Sequence, residues 1–152
     1  MSVTDIEARL RFFELNERQR DALRAARPIV ERSIGPALDR FYARARSTPE
    51  TARFFRDDAH VVSAHAAQTR HWMHLINGRF DADYYSSVRR IGAVHARIGL
   101  EPRWYIGAYS LVLEDIVRAA ARAPPPSRRL PGLRAGPGAL IAPLTTAALL
   151  AM

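Results

Sequence analysis

A chain of 152 residues with 48% apolar content is long enough for one ordinary core and short for two domains. It contains no cysteine, which excludes disulfides, zinc–thiolate sites, iron–sulfur clusters and thioether-linked haem. All 23 basic residues are arginine, against 15 acids, for a net charge of +8; half of that excess falls after residue 121, where Arg122, Arg128, Arg129 and Arg134 have no acid or aromatic among them, so nucleic acid is not expected as a partner.

In chain order the pattern is helical throughout. Thr4 is a candidate N-cap for a leading helix through Phe13. Asn16 then caps a second helix carrying Leu23 and Ala26, and Pro28 starts another whose stripe of Ile29, Ile34, Leu38, Phe41 and Tyr42 reaches about Arg46. Ser47-Thr48-Pro49-Glu50 opens a short helix through Phe54-Phe55. A longer helix over 58–76 is closed by Asn77-Gly78, and Asp81 caps the helix of Tyr84, Tyr85, Val88 and Ile91. Gly99 ends that helix and Pro102 starts the next, which runs to about Ala123. Strand signals are scarce, so the fold class is all-α with short connections. No apolar run approaches the roughly 20 residues needed to span a bilayer, and no signal pattern precedes Asp5, which gives a cytoplasmic expectation with no membrane partner.

The segment I-G-A-V-H-A-R-I-G-L-E-P-R-W-Y-I-G-A-Y, from Ile91 to Tyr109, carries the most chemistry. Ile91, Val94 and Ile98 lie three or four residues from His95, which turns its imidazole inward on an apolar face. Taken alone, such a residue reads more readily as a satisfied core histidine than as a ligand. Four further histidines, His60, His65, His71 and His74, cluster on one helix, yet no acid lies between Ala59 and Gly78 to complete a metal set. His71 and His74 are accordingly read as surface or packing residues.

His95 through Tyr105, H-A-R-I-G-L-E-P-R-W-Y, closely resembles the proximal segment of the globin-coupled sensors, a family of haem-binding bacterial globins. The resemblance extends over roughly Ile6 to Ala123, through L-N-E-R-Q-R-D-A-L-R-A-A-R-P-I-V, F-Y-A-R-A-R-S-T-P-E-T-A-R-F-F and Q-T-R-H-W-M-H-L-I-N-G-R-F. It implies a globin fold around haem b, with His95 as the iron ligand and Tyr105 approaching that ligand. It implies a distal Tyr42, with Phe41, Ala64, Ala67, Gln68, Ile98 and Trp104 around the cofactor, and it argues against a distal role for His65. The implied function is a non-enzymatic oxygen sensor, also open to CO and NO, that governs a diguanylate cyclase or chemotaxis output module. A homodimer would form through the helix over 103–123 and any final helix; Leu111, Leu113, Ile116 and Val117 exceed what one inward stripe needs. A haem enzyme, either a nitric oxide dioxygenase or a weak peroxidase, and a haem-free interaction module are the alternatives.

Past Ala123 the resemblance fails. A sensor-globin domain over 1–123 is therefore followed by a Pro/Gly/Arg-rich tail over 124–152 that holds six of the ten prolines. Pro131, Pro137 and Pro143 oppose one continuous helix, leaving Leu144 to Met152 as a short remnant of the final helix, with Ala147, Leu149 and Leu150 for packing.

Overall fold

The computed structural model describes residues 3–123 and 137–151, and all of the regular structure in them is helical. The helices are α1 (Val3–Phe12), α2 (Glu17–Ser47), α3 (Pro49–Ala52), α4 (Asp58–Ile76), α5 (Ala82–Arg97), α6 (Pro102–Arg122) and α7 (Ile141–Leu150), with a 3₁₀ turn at Pro137–Leu140 leading into α7. The all-α expectation holds. Most of the proline-rich stretch, residues 124–136 with Arg128, Arg129, Pro131 and Arg134, lies outside the described residues.

Side-chain caps explain where the main helices start. Asn16 accepts from the Gln19 N–H while the Gln19 side chain accepts from the Asn16 N–H, a reciprocal box that satisfies two otherwise orphaned donors at the head of α2. Asp57 and Asp81 do the same singly for α4 and α5, through the His60 and Tyr84 N–H groups. α4 and α5 then end in left-handed glycines, Gly78 at φ +65° and Gly99 at φ +68°.

Several helix limits need correction, beginning with Thr4, which lies inside α1 and does not cap it. Pro28 does not begin a helix: α2 runs unbroken for 31 residues with Pro28 and Pro36 inside it. Both prolines are exposed and sit eight residues apart on one side, so the carbonyls of Arg24 and Arg32, left without a helical N–H, are on the side that faces water. The opposite side, from Ala22 and Leu23 through Val30, Ile34 and Leu38 to Tyr42, is buried and holds the helix together. The helix after Thr48 also stops early, at Ala52, and only turn hydrogen bonds continue to Phe55.

The core sits where α2 is crossed by α4 and α6. Trp72, Leu75 and Ile76 of α4 and Val112, Ile116 and Ala120 of α6 join the buried side of α2 in one core cluster. Of the four surplus apolar residues of α6, Ile116 is fully buried within the chain, whereas Leu111, Leu113 and Val117 keep partial exposure. α7 starts three residues earlier than the sequence suggests, because Pro143 lies in its first turn, where no N–H is required. It packs on α6, α2 and α4 through buried Leu144, Ala147, Ala148 and Ala151, whereas Leu149 is half exposed.

Candidate functional site

A cavity of about 410 Å³ is walled by α2, the α3 turn, α4, α5 and the start of α6, within the range of small-molecule and cofactor sites. Its walls are mainly apolar and aromatic, and no acid contributes to them among the described residues. Phe41, Tyr42, Ala64, Ala67, Gln68, His95, Ile98, Trp104 and Tyr105, gathered from four separate stretches of sequence, all line this one space.

α5 supplies the wall that carries His95. Among the described residues this helix buries only Tyr84, near its start, and its later apolar residues Ile91, Val94 and Ile98 border the cavity instead of another helix. Val94 and Ile98 accordingly remain 42% exposed, which is high for residues on an inward stripe. The His95 ring lies 4.8 Å from the Tyr105 ring, centroid to centroid, tilted by 60°. Partial burial lowers the His95 pKa below its ordinary value, so the ring is neutral at pH 7 with a lone pair available. Arg90, one turn before Val94, is the only arginine on the wall among the described residues and is exposed.

Tyr42 reaches the cavity from the buried side of α2. Its ring is held edge-on between Phe41 at 4.8 Å and Phe55 at 5.7 Å. Its hydroxyl has no hydrogen-bond partner among the described residues, and burial pushes its pKa well above the ordinary phenol value. It therefore stays protonated and able to donate. On α4, Gln68 presents a buried Oε1 without a partner. His65 does not line the cavity; its Nε2 lies 3.3 Å from Asp39 Oδ1, off hydrogen-bond geometry, and its ring sits 5.8 Å from that of Tyr42.

Two further histidines, His60 and His71, line the wall, which the sequence alone does not reveal. His71 packs inside the chain, 7% exposed, with Nε2 2.7 Å from the Tyr109 hydroxyl and its ring stacked on Tyr84. Burial pushes the His71 pKa down to about 4, with smaller contributions from His74 and His95. Tyr109 and Tyr84 are raised by burial as well, so the whole cluster is uncharged at neutral pH. The one signal in the sequence was Tyr109 standing four residues after Tyr105, on the same side of α6. His74 is half-buried and meets Tyr84 edge to face.

Comparison with known proteins places this arrangement in context. The Protoglobin family model matches residues 3–136. The chain is 28% identical over 118 residues to the protein named heme-based aerotactic transducer HemAT of Halobacterium salinarum, a match that covers 77% of this chain and 24% of that relative. The chain thus spans about a quarter of the length of the transducer it matches.

Proposed function

The chain belongs to the protoglobin family, with its all-α globin fold, and from that premise we propose that it is a haem-binding gas-sensing domain whose iron ligand is His95. The observation that carries this reading is a neutral imidazole, with no hydrogen-bond partner among the described residues, standing in an apolar cavity on a helix whose later apolar residues line it. The residues present fit the group. An apolar enclosure suits a porphyrin, His95 offers a nitrogen lone pair, and Arg90 at an acid-free wall complements carboxylates. When bound, haem b supplies a ferrous iron with a coordination position open to O2, CO or NO.

The side chains around it have separable tasks. His95 holds the iron, and the ring of Tyr105 limits the imidazole's rotation. Phe41, Ile98 and Trp104 exclude water, while Ala64 and Ala67 leave room. The unpartnered Tyr42 hydroxyl donates to a polar diatomic ligand, and Gln68 is a second polar contact.

The domain itself is read as a sensor without enzymatic activity, coupled to an output module of the signalling kind that the name of the halobacterial relative describes. A homodimer through the outer side of α6, where Ile106 is half exposed, belongs to the same proposal. Among the described residues no helix is long and apolar enough to cross a membrane.

The visible spectrum of the haem-loaded ferrous chain tests the reading. The unaltered chain should give a five-coordinate, histidine-ligated spectrum and His95→Ala should lose it; identical spectra would remove His95 from the role.

A further inference from the structure

Tyr105 touches two parts of the molecule that the sequence keeps far apart. On one side its ring lies against His95. On the other, its hydroxyl donates to the carbonyl of Ala151, 46 residues away, at 3.1 Å. Ala151 is the C-cap of α7 and is 1% exposed, so its carbonyl belongs to the set that every helix leaves without an internal partner. A phenol from the cavity wall fills that need. A third contact, edge-to-face with Tyr109 at 5.2 Å, fixes the ring from α6 and leads on to His71.

We propose that Tyr105 is a positioning residue that joins the His95 wall of the cavity to the C-terminal end of α7, so that docking of α7 and occupation of the cavity strengthen each other. The physical basis is geometric. The Tyr105 hydroxyl makes a part-buried bond to Ala151, and a donor in that setting strongly prefers to keep its acceptor. If the end of α7 moves away, the phenol turns to find another acceptor and the tilted His95 ring loses its neighbour. If His95 is held by a bound group, Tyr105 is confined and so is the carbonyl it satisfies. Linkage makes the effect reciprocal: whatever factor occupation adds to α7 docking, docking adds to affinity for the occupant. α7 is the right element for such coupling, since it is short and rests on one large buried side chain, Leu144, and on the small Ala147, Ala148 and Ala151. The occupant is the haem proposed above, and only the loaded arm of the test depends on that reading.

The test uses the full chain in four forms: unaltered, Tyr105→Phe, Leu144→Ala and the double variant. Leu144 is fully buried in α7 and does not line the cavity, so truncating it loosens α7 from a distance. Ala148→Gly, a milder change in the same helix, replaces it if it fails to fold. Without cofactor, loosening α7 shifts the NMR signals of the His95 ring when Tyr105 is present and leaves them in place in Tyr105→Phe. Equal shifts in both backgrounds overturn the proposal. With ferrous haem added, amide exchange over residues 141–150 slows on the order of tenfold in the unaltered chain, inside the usual range of site-to-site coupling. Compared at equal haem occupancy, matched by absorbance, Tyr105→Phe loses most of that slowing; slowing of the same size in both chains overturns the proposal. A chain that takes up no haem refutes the proposed function, and the haem-free comparison then decides the role of Tyr105 by itself.

Discussion

The His71 imidazole and the Tyr109 hydroxyl meet at 2.7 Å in a buried cluster, each serving as the other's hydrogen-bond partner. An imidazole held neutral to about pH 4 makes folding sensitive to acid. Between about pH 6.5, the ordinary value, and pH 4 the unfolded chain binds a proton at His71 that the folded chain does not, so stability falls as pH falls. The loss across that window is up to about 3 kcal/mol. Denaturant midpoints measured from pH 7 to pH 4 should show this slope in the unaltered chain and a flatter one in His71→Gln. Parallel slopes would assign the acid sensitivity to other groups.

Removing the other partner acts differently. Tyr109→Phe strands a buried imidazole nitrogen, at a cost of about 1–3 kcal/mol. The measurement is the denaturant midpoint at pH 7, and no change there would mean that the ring finds another partner.

Tyr42→Phe separates gas binding from folding. The hydroxyl has no partner among the described residues, so its loss should move the thermal midpoint little. If it donates to bound gas, a bond of roughly 1–3 kcal/mol corresponds to about five- to a hundredfold faster oxygen release. Carbon monoxide is less polar and should respond less. Stopped-flow dissociation of both gases checks the difference, and equal acceleration would count against a donated hydrogen bond.

Two glycines with the same backbone conformation should respond unequally to alanine. A Cβ at Gly78 would stand 3.1 Å from the Arg20 carbonyl oxygen, while at Gly99 it would meet nothing within 4 Å. Gly99→Ala then carries only the left-handed penalty of about 1–2 kcal/mol, and Gly78→Ala adds a backbone contact to it. Thermal midpoints should therefore rank the unaltered chain above Gly99→Ala and Gly99→Ala above Gly78→Ala.

Much of the fold is legible because its signals are local. The limits of α4 and α5 follow from Asn77-Gly78, Asp81 and Gly99, each acting within a few residues of itself. Continuity of α2 through Pro28 is not local: it depends on the buried stripe from Ala22 to Tyr42, which only the packed partners reveal. The same divide runs through the site. Placing His95 beside Tyr105 needs one helix–turn–helix, whereas joining His71 to Tyr109 requires knowing that the end of α4 crosses α6. The start of α7 was misplaced because Pro143 reads as a breaker until its first-turn position is known.

The sparse packing of α5 also bears on the order of events in the life of the molecule. Tyr84 is the only α5 residue in the buried core cluster; the rest comes from α1, α2, α4, α6, the stretch from Leu140 through α7, and a few connecting residues. Most of the hydrophobic interior thus comes from elements other than α5, and of the core cluster only Tyr42 and Tyr109 reach the cavity. A core so placed is expected to assemble before the cavity receives an occupant, and the chain should then be isolable as a cooperatively folded protein without one.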